Sequence, residues 1–359
     1  MLYIAGGQGR ITHSDQVSHY NYTTNTWSNV APLPVPLSQG TIGAWNRKIY
    51  VAGGFLGGTS VTNALRIYDI ASNTWISGAN MPTSPGVEAA AGAVVNGKFY
   101  VIGGDDFNNG LNTNFIYDIA SNTWSTGATL PDNRTNTYGT AYNGLVYVYG
   151  GLILPFPTVD TLLRYDPVAN SWTDLGSAGT GGHGNYGGIS PFGTGQLLIT
   201  DGANADFGTT NATHIFTISG GTFSAGPAMT RNRCAHAQGT LPDGRVLVAD
   251  GLNVDTVSTV ELLTTPPPCP SATPTPRPLQ LRAQQKRVGG INTVRLNWRG
   301  ATSPNIDIYR NNVLNATQPK DPGVYIDSTG DTGRAQYRYT VCEVGTQTCS
   351  NEVLVRFPQ

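Results

Sequence analysis

Lys98-Phe99-Tyr100-Val101-Ile102-Gly103-Gly104 decides the fold, because the chain repeats this phrase: a short β-branched and aromatic run that stops at a doublet of small residues. The doublet returns as Gly6-Gly7, Gly53-Gly54, Gly103-Gly104, Gly150-Gly151, Asp201-Gly202 and Asp250-Gly251, at steps of 47, 50, 47, 51 and 49 residues. Before each run lies a strand of small residues, such as Gly40-Thr41-Ile42-Gly43-Ala44-Trp45 or Ala90-Ala91-Gly92-Ala93-Val94-Val95. The two are joined at Asn46-Arg47, Asn96-Gly97, Asn143-Gly144 or Asp243-Gly244, and Asn-Gly and Asp-Gly favour the tight turns of β-hairpins. After a variable loop a third strand follows, as in Leu65-Arg66-Ile67-Tyr68-Asp69, and then a fourth opened by Trp75. Tyr20 to Trp27, Tyr68 to Trp75, Tyr117 to Trp124 and Tyr165 to Trp172 are each seven apart, and Phe216 to Phe223 keeps the spacing.

A period near 50 built from four short strands predicts an all-β chain that begins with a six-bladed β-propeller, one repeat per blade. Strands that converge on the axis must be slim, which explains their Gly and Ala. The doublet permits backbone angles and a close approach that a Cβ would forbid. Tyr and Trp supply apolar surface for one blade to bury against the next. Doublet, Tyr and Trp in this order resemble the kelch repeat over roughly residues 1–263, and Arg233-Cys234-Ala235-His236 fits the Arg-x-x-His that opens many kelch blades.

With strands named a to d from the axis outward, Met1–Gly7 aligns with a b strand, so the first blade lacks strand a. The sixth blade reads through strand c at Ser258–Leu263 and then meets Pro266-Pro267-Pro268, which cannot donate to a ladder, so it lacks strand d. Two sources for these consecutive strands are expected: about 25–40 residues upstream, carrying a secretion signal with them, or a strand donated by another chain, since unpaired edges recruit strands. The resemblance implies the first, as kelch propellers commonly close with an N-terminal strand.

The expected domains are 1–265 for the propeller, 266–278 for a Pro/Thr-rich linker of extended character and 279–359 for a small β-sandwich. In the last, Val294-Arg295-Leu296-Asn297-Trp298, Ile306-Asp307-Ile308-Tyr309, Tyr337-Arg338-Tyr339-Thr340-Val341 and Val353-Leu354-Val355-Arg356-Phe357 alternate. With Trp298 and the Tyr-x-Tyr-x-Val strand, the segment resembles a fibronectin type III domain, whose modules serve as spacers or adhesive units. Cys342 and Cys349 flank a hairpin and invite a disulfide. Cys234 and Cys269 are left either to pair with each other or to stay as free thiols.

The 359 residues carry a net charge of -1 with 12% charged residues, so no basic patch for nucleic acid is expected, and no apolar run is long enough for a membrane span. Scarce Lys, abundant Asn, Thr, Ser and Gly, and a disulfide point to a secreted or cell-surface setting. Asn21, Asn133, Asn211 and Asn315 each open an Asn-x-Thr acceptor pattern for glycosylation.

In four-stranded antiparallel blades the b–c and d–a loops emerge on one face. That face collects Arg10, His13, Phe55, Asp105, Asp106, Phe107, Phe156, Asp206, Phe207 and Asp255 from b–c loops, and Arg134, His183, Tyr186, Arg231 and Arg233 from d–a loops. Aromatics beside Arg, Asp and Asn furnish sites for protein or carbohydrate. A copper site like that of galactose oxidase-like enzymes, which join a kelch propeller to a sandwich, needs two His and two Tyr, one cross-linked to Cys. Only His13, His19, His183, His214 and His236 exist, no Tyr-His dipeptide occurs, and Cys234 is the one propeller cysteine. For acid–base chemistry of a mutarotase or lyase type, Glu88, Glu261, His183 and His236 are the nearest candidates, and no spacing pairs them. The loop 103–110 is rich in carboxylates and lacks the alternation of a calcium loop. No catalytic residue, metal or cofactor is assigned. The expectation is a non-catalytic extracellular structural or adhesive protein that binds protein or glycan partners and self-associates through a donated strand. A carbohydrate-active kelch enzyme is the alternative.

Overall fold

The computed structural model describes residues 2–8, 13–58, 60–153, 157–179, 184–204, 206, 208–253, 257–264, 279–301, 303–321, 323–344 and 348–358. The chain divides into two compact units, Met1–Pro266 and Pro267–Gln359. The expected linker 266–278 lies outside the described residues.

In the first unit six antiparallel sheets of three or four strands follow one another among the described residues. Sheet one holds Leu2–Ala5, Val17–Asn21 and Thr26–Val30. Sheet two holds Thr41–Trp45, Lys48–Ala52, Leu65–Asp69 and Thr74–Ser77, and sheet three Ala91–Val95, Lys98–Ile102, Asn114–Asp118 and Thr123–Thr126. Sheet four holds Tyr138–Tyr142, Leu145–Tyr149, Thr161–Asp166 and Ser171–Ser177, and sheet five Gly188–Pro191, Gln196–Thr200, Thr213–Thr217 and Thr222–Ala225. Sheet six holds Ala237–Thr240, Val246–Ala249 and Val260–Leu263. Within each sheet spatial order follows chain order, apart from a small Phe55–Gly57 and Ser60–Val61 ribbon that interrupts sheet two in sequence.

Packing runs round a closed circuit. Each pair of successive sheets shares one apolar cluster, such as Tyr50, Leu65, Phe99 and Tyr117 between sheets two and three. The last cluster, Tyr20, Leu241, Leu247 and Ala249 with Leu2 and Ile4 beside it, joins sheet six to sheet one. The b strands read as continuous buried runs because sheets cover both faces, as in Val101 and Ile102.

The doublets have a backbone reason. The second glycine donates its N–H to a carbonyl in the loop leading to the next sheet: Gly54 to Val87, Gly104 to Arg134 and Gly151 to Gly184, each at 2.9 Å. A Cβ on Gly53 would stand 2.1 Å from the Val87 oxygen, and its φ of +66° is left-handed. No side chain fits that gap.

The Tyr/Trp signature is a joint between sheets. Tyr68, Tyr117 and Tyr165 are buried, and each donates its hydroxyl to the turn asparagine five residues on: Asn73, Asn122 and Asn170, at 2.8, 2.8 and 2.6 Å. The same Oδ1 accepts a backbone N–H from the preceding sheet: Ala31, Ala79 and Ala128, at 2.8, 2.8 and 2.7 Å. The indole of Trp75, Trp124 or Trp172 packs at a tilt against its Tyr and donates to the carbonyl of that alanine at 2.9, 2.7 or 2.8 Å. Three joints, one to two, two to three and three to four, are stapled in this way. Between sheets four and five the corresponding residues are Phe216, Gly221 and Phe223, which keep the tilted ring packing and have no groups to bond with. Sheet one carries the same set, with the Tyr20 hydroxyl bonded to Asn25 and Trp27 packed at a tilt against Tyr20, and Trp27 is half-exposed with no indole acceptor among the described residues.

The second unit is a β-sandwich. One sheet pairs Gln280–Val288, Ile291–Arg299 and Val324–Thr332; the other runs Val313–Pro319, Asn305–Arg310, Ala335–Glu343 and Val353–Phe357 in spatial order. Alternation puts Val294, Leu296, Trp298, Ile306, Ile308, Tyr339 and Val355 into one core. Cys342 and Cys349 are disulfide-bonded.

Candidate functional site

One backbone device recurs at one end of the ring. Just before the inner strand of sheets two to six, Gln39, Ala89, Asn136, Tyr186 and Ala235 take left-handed φ values of 55°, 53°, 55°, 57° and 50°. Such angles are unfavourable for residues with a Cβ, so five repetitions mark an imposed geometry. The residue before each, Ser38, Glu88, Thr135, Asn185 or Cys234, bridges in antiparallel fashion to the residue after the doublet: Phe55, Asp105, Leu152, Ala203 or Leu252. Backbone bonds carry the device from sheet to sheet: Ala89 N–H donates to Gln39 O at 2.9 Å, Thr137 to Ala89 at 3.3 Å, and Ala235 to Tyr186 at 2.8 Å. The inner strands' entrances and the loops after the doublets therefore meet at one axial mouth.

Polar groups from four sheets converge there. The Glu88 and Asp105 carboxyls are hydrogen-bonded to each other, and burial, followed by the charge of Asp105, pushes Glu88 up to about 8. At neutral pH the pair holds one proton, because two carboxylates in contact do not both ionise. Thr135 donates its hydroxyl to Asp105 Oδ2, and Asp105 Oδ1 accepts the Phe107 N–H at 2.9 Å. Tyr186 bonds to Asn136 and lies within electrostatic reach of Asp105, Glu88 and Cys234; burial is the main cause that pushes it up to about 12. Burial likewise raises Tyr138, beside Tyr186 and Cys234. Tyr186 in sheet five thus meets residues of sheets three, four and six. Glu88 Oε2 and Asn185 Oδ1 are buried with no hydrogen-bond partner among the described residues.

On the rim above, His13 packs edge-on to Phe55 at 5.2 Å, and Phe55 stacks on Phe107 at 5.7 Å with 6° between the planes. His13 Nδ1 meets Ser38 Oγ at 3.1 Å. Phe107 is 41% exposed and has a φ of 77°. Asp106 shapes this loop by accepting the N–H groups of Asn108 and Asn109 at 3.0 and 2.7 Å.

His13, Asp105, Asp106, Phe107 and Tyr186 accordingly stand on the expected face, and Arg231 and Asp206 are exposed there without a place in the mouth. Arg10, Phe156, His183, Phe207, Asp255 and Cys269 lie outside the described residues. Three expectations are corrected. Arg134 is buried rather than offered to a ligand: it forks onto Asp132 at 2.5 and 2.6 Å and bonds to Thr161. Arg233 is fully buried, bonded to Glu261, to the carbonyls of Asp250 and Thr259 and to the Thr259 hydroxyl. Each arginine ties a loop to its own sheet, and a guanidinium paired inside the protein is not available outside. Cys234 is a buried free thiol rather than half of a disulfide, and burial pushes it up to about 11.

Glu261 serves Arg233 and the Thr230 N–H. His236 is buried against Thr200 Oγ1 at 2.6 Å, and burial, then the nearby Arg233 charge, lowers it to about 3. Of the acid–base candidates among the described residues, only Glu88 belongs to the mouth. Thr135, Asn136, Tyr138 and Asn185 were not singled out by sequence. Aligning the chain on its period puts Thr135 and Asn185 in the column of Glu88, which is the signal that finds them.

A family model described as "Attractin/LZTR1 beta-propeller" matches residues 2–180. The chain is similar to a "Kelch domain-containing protein" of Sulfurisphaera tokodaii, 32% identical over 101 residues that cover 27% of this chain and 14% of that protein. It is similar to "Kelch-like protein terF" of Aspergillus terreus, 31% identical over 97 residues covering 26% and 21% of the two chains. "Kelch-like protein 25" of Xenopus tropicalis is 27% identical over 191 residues, covering 49% and 31%. The alignments thus span less than a third of these relatives' own lengths. Among the described residues, no helix is long and apolar enough to cross a membrane. The doublets, the stapled Tyr/Trp joints and these relatives together support a kelch-repeat β-propeller for the first unit.

Proposed function

We propose that this chain is a non-catalytic binding protein of the cell exterior, a surface or matrix component or polymer subunit, that offers its loop face and axial mouth to a protein or glycan partner. On this reading the ring is a six-bladed kelch propeller, 266–278 a spacer and the second unit a fibronectin type III-like connector. The observation that carries it is the rim. His13, Phe55 and Phe107 lock one another across three sheets while Phe107 keeps a face to solvent. A ring already held in place loses little freedom when a partner covers it, which is what a binding anchor needs. The groups beneath suit recognition rather than nucleophilic attack, since the Cys234 thiol is held protonated and His236 is sealed and neutral. The Cys342–Cys349 bridge supports an oxidising location. The outer edge of sheet six, Val260–Leu263, has no strand beside it among the described residues, which supports assembly by strand addition.

The test is capture of proteins and glycans by the immobilised chain, compared with Phe107→Ala. Capture lost in the variant supports the reading, and capture indifferent to Phe107 overturns it. The second reading, a carbohydrate-active enzyme, is favoured by the Glu88–Asp105 pair, since a protonated acid beside a carboxylate is the make-up of an acid–base couple. Sugar turnover abolished in Glu88→Gln would establish it.

A further inference from the structure

We propose that the axial mouth is a socket for one basic side chain, an ammonium or guanidinium carried by a protein partner, with the touching carboxyls of Glu88 and Asp105 as its floor. The proposal rests on the protein-binding reading above and names what the mouth recognises.

Glu88 is 5% exposed, yet its Oε2 has no hydrogen-bond partner among the described residues. A buried carboxyl oxygen left in that state carries a desolvation penalty that a donor from outside removes. Among the described residues, the titratable groups that interact with it are Asp105 and Tyr186, neither of them a cation at neutral pH. The two arginines of the neighbouring loops do not serve it, because Arg134 is committed to Asp132 and Arg233 to Glu261. What the described residues do not supply is a positively charged donor. Ammonium supplies three N–H groups and guanidinium five, and neither accepts, which suits a site rich in acceptors. The other groups fit as well: Asn185 Oδ1 is a second buried acceptor without a partner among the described residues, two repeats on round the ring, and Tyr186 adds a hydroxyl and a π face. A neutral sugar would leave the proton shared by the acid pair where it is. A cation displaces it, so entry of the basic group exchanges one positive charge for another at the same carboxyl.

That exchange is measurable on the intact chain. The probes are N-acetyl-lysine methylamide and N-acetyl-arginine methylamide, titrated calorimetrically at pH 7 in two buffers of different ionisation enthalpy. The wild type is expected to bind at least one probe and to release about one proton per site, as a carboxyl holding its proton near pH 8 must. Glu88→Gln is expected to weaken binding by about tenfold or more and to release none. Asp105→Asn gives the same reading if the first variant does not fold, and the proton count in the wild type needs no variant at all. No binding of either probe at millimolar concentration, binding without proton release, or equal binding by Glu88→Gln overturns the proposal. A protein captured through Phe107 but indifferent to Glu88 overturns it while leaving the protein-binding reading intact. Probe binding by a chain that captures no protein does the reverse.

Discussion

The Trp75 indole reaches back 44 residues, and one sheet, to donate to the Ala31 carbonyl, while Asn73 takes the N–H of the same alanine. One residue of sheet one is thus held at both its polar groups by two residues of sheet two. The equivalents at Ala79 and Ala128 make this a rule of the ring.

Removing one bond of a staple is therefore expected to cost what a part-buried hydrogen bond contributes. Trp124→Phe keeps an aromatic ring against Tyr117 and loses the donor to Ala79, so it is expected to destabilise the first unit by about 1 kcal/mol. Asn122→Ala strands both the Tyr117 hydroxyl and the Ala79 N–H and is expected to cost about 2–3 kcal/mol. Trp27→Phe, whose indole has no acceptor among the described residues, is expected to change nothing measurable. Urea unfolding followed by Trp fluorescence ranks the three.

Alkali is expected to weaken the fold through Glu88. Its folded pKa is raised to about 8 from an ordinary value of 4.5, so between these limits the unfolded chain binds fewer protons and stability falls as pH rises. The stabilising share is fully present below pH 4.5 and gone above 8. Melting curves from pH 5 to 9 are expected to fall steeply for the wild type and to flatten for Glu88→Gln. Identical slopes would show that the pair does not hold its proton.

Acid acts through His236 with the opposite sign. Burial, then Arg233, lowers its folded pKa to about 3 from 6.5, so the unfolded chain takes up the proton first and stability falls as pH drops through this window. Replacing His236 by Gln, which retains a polar end for Thr200, is expected to reduce the loss between pH 6.5 and 4. The difference is read from unfolding midpoints at those two values.

Phe107 separates binding from stability. Its φ of 77° suits glycine, so Phe107→Gly is expected to relieve strain that offsets the lost stacking on Phe55, leaving stability within about 1 kcal/mol of the wild type. Partner capture is expected to drop at least tenfold, about 1.4 kcal/mol. A fall in both would mean that the ring is structural.

Reduction is expected to touch the second unit alone. Opening Cys342–Cys349 frees a short loop and is expected to lower that unit's stability by about 2 kcal/mol, with the propeller transition unmoved. Calorimetry with and without a phosphine reductant reports both transitions.

The ring was legible because its devices are local and repeated. A doublet that must clear a carbonyl, or two aromatic rings seven residues apart across one turn, recurs in nearly the same spelling. The mouth was not. One repeat position holds Ser38, Glu88, Thr135, Asn185 and Cys234, five residue types with no shared chemistry, and their meeting depends on closure of the whole ring. Glu88 was visible as an acid, but Asp105, its partner, belongs to a loop 17 residues on that hairpin strands fold back beside it. Arg134 and Arg233 misled for the converse reason. A loop arginine looks like an outward charge until Asp132 or Glu261 is seen to hold it. For Cys234, counting cysteines left a disulfide and a free thiol both open, and the structure has the free thiol, buried.

The staples divide the circle unequally. Sheets one to four are riveted at three successive joints, and this is the stretch that the family model matches; from sheet four through five and six back to one the Tyr–Asn–Trp staple gives way to aromatic packing, apolar clusters and a different set of hydrogen bonds, such as Thr240 to Pro191 and His236 to Thr200. Glu88, Asp105 and Asn136 stand on the riveted half, and Tyr186 and Cys234 on the other. The mouth therefore draws its lining from both arcs, and the joints of the unstapled arc can be altered without replacing any group that lines it.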